Sequence, residues 1–219
     1  MARNIQLITY GLTDLLEMEK LQRTNFVNSL TGFKSACLVG TRSKSGNTNL
    51  AIFSSIVHLG SHPPLIGMFT RPDSVDRHTF ENILETGEYT LNHLTRSMTM
   101  KAHQTSARYP REVSEFDAVG LTPTYLDGFF APLVEESVIS IGLKLVETQR
   151  IAANNTILVI GEVQHVILPE HCLGIDGFID LELAGTLTCS GIDSYHATEQ
   201  LMRLAYAKPN IEPHRIDLY

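Results

Sequence analysis

No stretch of this 219-residue chain approaches the about 18 consecutive apolar residues that a membrane span requires. The opening residues, Met1 to Leu7, also lack the sustained apolar core of an export leader. Cysteine is sparse: Cys37, Cys172 and Cys189 lie far apart with neither CxxC nor CxxxC spacing. That speaks against a disulfide framework and for reduced thiols in a cytoplasmic protein. Nine histidines are present without an HxH or HExxH arrangement, so no metal site is expected. GxSxG, P-loop and GxGxxG motifs are missing too, which removes the nucleophile elbow and the Rossmann domain. Positive charge is outnumbered, with 17 Lys and Arg against 24 Asp and Glu, and the net −7 would repel a nucleic-acid backbone. Local basic patches stay open.

What is present suits one globular domain with appended arms. Residues 12–30 read as a short helical arm that Thr13 could cap and Gly32 ends. Strands are expected at 35–39, 51–59 and 65–69, the last buried on both faces, with Gly46-Asn47 turning the first connection. The clearest helix follows. Ser74 or Asp76 could cap it, Phe80, Ile83 and Leu84 form its apolar face, and Gly87 supplies a left-handed stop. Strands at 88–94 and 139–145 alternate in polarity, and Asn154-Asn155 turns the chain into a long apolar strand over 156–168. Short helices are read at 97–105 and within 109–120, a last strand at 187–190, and an extended tail from 208. Hairpin-like connections dominate, so a mainly β, antiparallel barrel is favoured over a doubly wound sheet.

Polar groups cluster at the ends of these strands between Thr41 and Thr79. Asn49, Ser54, Ser55 and the backbone between them could meet the polar edge of a planar ring such as an isoalloxazine. Alternation along a continuous strand would send Ser54 and Ser55 to opposite faces, leaving part of that recognition to backbone groups. Arg77 and Thr79 in the first turn of the helix, with Arg71 upstream, suit a phosphate. Each has a plain structural reading as well. Arg77 could pair with Glu81, Asn49 could close a turn, and the serines could form a strand edge. His93, His103, Lys101 and Arg108 are further candidates near a nicotinamide or its phosphate, set against ordinary satisfied or solvated positions.

The ordered segments Gly46 to Ser55, His62 to Gly67, Arg71-Pro72, Arg77 to Ile83 and Thr86 to Asn92 together resemble the flavin reductase-like, FMN-binding split-barrel family. Gly120 to Pro123, Pro132 to Ser137 and Ile160 to Val163 extend the likeness over most of 33–190. The resemblance implies a six- or seven-stranded antiparallel Greek-key split barrel with a central helix and peripheral helices. It implies an FMN-binding domain over 33–190, while a helical arm over 1–32 and an extension over 191–219 lie outside the match. FMN would sit beside a homodimer interface, its ring and ribityl chain against Asn49, Ala51, Phe53, Ser54 and Ser55. Its phosphate would meet Thr70, Arg71, Arg77 and Thr79. Relatives often carry Lys-Asp-Thr where this chain has Arg77-His78-Thr79, which keeps the cation and the hydroxyl. The implied activity is an NAD(P)H-dependent flavin reductase, with NADH or NADPH as donor. The alternative is an electron carrier of the flavoredoxin type that docks a redox protein partner.

Overall fold

The computed structural model describes residues 6–216. Strands β2 (Cys37–Arg42), β3 (Thr48–Phe53), β4 (Ile56–Ser61), β5 (Pro64–Thr70), β6 (Glu88–His93), β9 (Ser140–Arg150) and β10 (Ile157–Ile167) form one antiparallel sheet, in the order β3-β2-β6-β9-β10-β5-β4. β3 and β4 lie at opposite edges, yet only Ser54 and Ser55 separate them in sequence. Laid flat, six inter-strand gaps would span about 29 Å. Three Cα steps reach about 11 Å at most. The sheet must therefore curl until its two edges adjoin.

The core confirms the curl. Val39 of β2, Met68 of β5, Tyr89 and Leu91 of β6, Leu143 of β9 and Val159 of β10 meet in one buried cluster. Phe80 and Ile83 of α3 (His78–Thr86) join them, so this helix plugs the barrel. On the other face, Leu38 and Leu50 pack with Met98, Ala102 of α4 (Thr99–Gln104) and Phe116 of α5 (Glu115–Val119). Buried Asn92 ties the wall together. Its amide donates to Leu38 O (3.1 Å) and Thr90 Oγ1 (2.8 Å), while its oxygen accepts from Val134 N (3.0 Å) and Ser140 Oγ (2.9 Å). Two minor sheets complete the β structure: β7 (Pro123–Thr124) with β8 (Leu133–Val134), and β1 (Lys34–Ser35), β11 (Thr188–Ser190) and β12 (Ser194–His196) in the order β1-β11-β12.

Several expected elements shift. The strand expected over 51–59 is two strands, broken at the Ser54-Ser55 corner. β5 is not buried on both faces, because Phe69 stays 38% exposed. α3 starts at Arg77 without a side-chain cap from Ser74 or Asp76. Glu81 Oε1 instead accepts the Arg77 N–H at 2.8 Å. Leu84 lies off the packed stripe, 53% exposed, whereas Gly87 ends the helix at φ 77° as expected. The arm is two helices, α1 (Leu12–Glu17) and α2 (Lys20–Ser29), with Gly11 rather than Thr13 at the first cap. Arg23 Nη1 donates to Leu16 O and Met18 O at 2.9 and 3.1 Å, capping α1 where the chain breaks. Neither helix buries a residue.

Candidate functional site

A cavity of about 960 Å³ opens where β3, the Ser54-Ser55 corner, the end of β5 and the start of α3 converge. Asn49, Ala51, Phe53, Ser54, Ser55, Thr70, Arg71, Arg77 and Thr79 all line it. The opposed orientation expected for the two serines does not apply. The strand ends at Phe53, and both residues occupy a corner whose Ser55 carbonyl accepts the Phe69 N–H at 2.9 Å.

β3 offers the cavity backbone as well as side chains. Leu50 N–H points away from β2 and donates to Glu115 Oε2 at 2.9 Å. By the alternation of antiparallel pairing, the Ile52 N–H and carbonyl point the same way, and Ile52 lines the cavity. Phe53, Phe69, Val75, Ile192 and Tyr195 supply apolar wall, the last two from the far side. The result is a slot with a polar edge.

The opposite end favours anions. Asn49 Nδ2 donates to Thr79 Oγ1 (2.9 Å) and Thr41 Oγ1 (3.3 Å), and Asn82 Nδ2 also donates to Thr41 (3.1 Å). Asn49 is thus a buried brace as well as part of the wall. Because Thr79 Oγ1 accepts from Asn49, its own hydroxyl proton is left to donate to a ligand. It sits in the first turn of α3, where backbone N–H groups lack intrahelical partners. Arg77 Nε donates to Pro72 O at 3.2 Å, and burial lowers the guanidinium pKa, followed by repulsion from Arg71 and Arg108. Among the described residues none of these three arginines has an ion pair. In a chain of net charge −7, this is the local basic patch the composition left open.

Of the segment 105–112, the sequence pointed only to Arg108, and it missed the groups that fix the segment. Arg108, Tyr109 and Arg111 line the cavity, Arg111 pairs with Glu81, and Ser114 Oγ lies 2.7 Å from Thr48 Oγ1. Glu115 is buried beside β3, which raises its pKa against the opposing pull of the Leu50 N–H and His78. The expected salt partner of Arg77 was Glu81, yet Glu81 bonds the Arg77 backbone and pairs with Arg111 instead.

Other candidates fall away from the cavity. Lys101 Nζ is committed to Gly120 O at 2.5 Å. His93 does not line the cavity, and burial lowers its pKa, so it is neutral near pH 7. His103 Nδ1 lies 2.9 Å from Tyr195 Oη and reaches the cavity only through that residue. Burial, followed by the nearby Cys189, pushes the Cys37 thiol up to about 12, the behaviour of a packed small hydrophobe. Among the described residues no group of three or more His, Cys, Asp or Glu is arranged to hold a metal, and no helix is long and apolar enough to cross a membrane.

Residues 33–176 match the family described as flavin reductase like domain. An uncharacterized protein of Aquifex aeolicus is 34% identical over 109 residues, 49% of this chain. The match spans 56% of that relative, just over half its length. The fold is similar to the crystal structure of a split barrel domain protein from Shewanella frigidimarina, itself a proposed flavin reductase. The TM-score is 0.88 at 50% identity, covering 91% of this chain and 100% of that one. Nitrilotriacetate monooxygenase component B from Bacillus cereus shares the fold with a TM-score of 0.79 at 20% identity, covering 91% and 100%.

Proposed function

Because the chain belongs to the flavin reductase like domain family, we propose that it is an FMN-binding oxidoreductase, an NAD(P)H-dependent flavin reductase. The observation that carries this reading is the pairing, in one cavity, of an apolar slot with an unneutralised arginine cluster at a helix start. The volume falls at the upper end of the about 300–1,000 Å³ common for cofactor sites. The donor set fits a phosphate, since Thr79 has a proton to give and Arg71 and Arg77 have no carboxylate to satisfy. Redox chemistry, with hydride taken from NADH or NADPH and electrons passed onward, would be supplied by bound FMN.

The protein's own residues do the holding. Thr79, Arg77 and Arg71 bind the phosphate, with Thr70 behind them. Asn49 orients the Thr79 hydroxyl. The Ile52 backbone meets the polar edge of the ring, and Ala51, Phe53 and the Ser54-Ser55 corner shape the slot. Such a site needs no acid–base pair of its own.

A homodimer belongs to the same proposal. The arm (1–32) and the extension (191–219) would reach a second copy around the barrel domain (33–190). Leu12, Leu16, Leu21 and Leu30 of the arm are 63–72% exposed, and Leu201 and Tyr206 of the extension 84% and 92%. Three buried free cysteines suit a reducing cytoplasm.

Anaerobic spectroscopy of the FMN-loaded protein tests the activity. Bleaching of the flavin band by NADH or NADPH supports the reductase. A yellow protein that neither nucleotide bleaches indicates an electron carrier that docks a redox protein partner. A protein that does not retain FMN overturns both.

A further inference from the structure

The anion end of the cavity carries three arginines, one more than the Arg71 and Arg77 assigned to the flavin phosphate. Arg71, Arg77 and Arg108 all line this end, and no carboxylate forms an ion pair with any of them among the described residues. Asp76 and Glu112 share the wall without pairing to them. Arg77 feels the charge of both other guanidiniums and shares the cavity wall with them.

Arg108 differs from its two neighbours in how it is held. It comes from the exposed segment before α5, not from the loop that leads into α3. That segment is pinned on the C-terminal side of Arg108. Arg111 pairs with Glu81, whose other oxygen takes the Arg77 N–H, so both arginine-bearing segments are tied to one helical turn. Beyond it, the Ser114–Thr48 and Glu115–Leu50 bonds latch α5 to β3. Arg108 is therefore presented at the mouth, outside buried Thr79 and half-buried Arg77. Arg111, the other arginine of this segment in the wall, is occupied by Glu81.

We propose that Arg108 recognises a second phosphate group beside the one held at the start of α3, which makes the cavity a site for a dinucleotide. This rests on the reading of the α3 start as the flavin phosphate site. The second phosphate has two sources with the same chemistry. It is the distal phosphate of FAD in the flavin position, or a phosphate of the nicotinamide dinucleotide arriving beside bound FMN. A guanidinium fork suits either, since it grips phosphate oxygens through two parallel N–H donors.

Arg108→Ala and the parent protein separate the possibilities. Dissociation constants are measured for riboflavin, FMN and FAD on the apoprotein, and for NAD+ and NADP+ on the FMN-loaded protein. The substitution is expected to leave riboflavin and FMN within about twofold. It weakens FAD about tenfold if the flavin supplies the second phosphate, or NAD+ or NADP+ about tenfold if the nicotinamide does. Equal weakening of FMN and FAD would place Arg108 on the first phosphate and overturn the proposal. So would no change in any ligand, the mark of a solvated surface arginine. Failure of the underlying reading looks different, because the parent would then bind FMN no better than riboflavin.

Discussion

At the residue scale, the side chains around the cavity divide into those aimed at a ligand and those that aim them. Arg77 and Thr79 are the first kind. Arg77→Ala with Thr79→Ala is expected to weaken FMN binding about 100-fold, or about 2.7 kcal/mol, by removing two charge-assisted bonds. The FMN-free protein should lose only about 1 kcal/mol, because Arg77 is half-buried and the Asn49 amide, deprived of Thr79, keeps Thr41 as an acceptor. Unchanged FMN affinity would remove the phosphate from this end. Glu115 is the second kind, and its burial makes it report on pH. Its folded pKa is raised, so the folded state keeps a proton that the unfolded chain loses just above the ordinary carboxylate range. Stability contributed at Glu115 therefore falls as the pH rises through the raised folded value. Glu115→Gln keeps an acceptor for Leu50 and removes the charge. Its urea midpoints should lose less than the parent's between the ordinary carboxylate range and neutrality. Parallel curves would contradict the assignment.

At the scale of elements, the barrel wall holds one expensive contact. Among the described residues the buried Tyr89 hydroxyl has no partner, and a Cβ on Gly161 of β10 would lie 2.2 Å from it. Tyr89→Phe should raise stability by about 1 kcal/mol in urea unfolding, by removing an unsatisfied polar group. Gly161→Ala should cost about 1–3 kcal/mol, part of which Tyr89→Phe restores. A loss of stability in Tyr89→Phe would mean that the hydroxyl finds a partner after all.

The elements also show what the sequence could reveal. The β9–β10 hairpin, β6 and the Gly87 stop were legible because alternation and a left-handed residue are local signals. The Ser54-Ser55 corner was not, because it carries neither Gly nor Pro, and only closure of the sheet demands it. All nine site residues expected from the sequence share one cavity, since they sit within 31 positions of chain. Arg111 and Glu115 stayed hidden because their contacts close loops of 30 and 65 residues, to Glu81 and Leu50. No local pattern marks such contacts.

For the whole molecule, the topology itself places the site. A seven-stranded sheet whose edge strands are joined by two residues must bring both edges together, and the cavity forms at that seam beside the plugging helix. Exposed apolar residues of the arm and tail, with Met100 and Ile175 of the body, offer surface to a second copy. Sedimentation at micromolar concentration is expected to give a dimer, and removal of residues 1–32 should shift it toward monomer. A parent that sediments as a monomer would contradict the proposed assembly.

A cavity that holds a flavin by its phosphate must prefer FMN to riboflavin. The most direct test compares the dissociation constants of FMN and riboflavin on the parent apoprotein at moderate ionic strength. The arginine cluster and the α3 start predict that FMN binds about 100-fold more tightly or better, with the advantage shrinking as salt is added. Equal affinities, insensitive to salt, would contradict it.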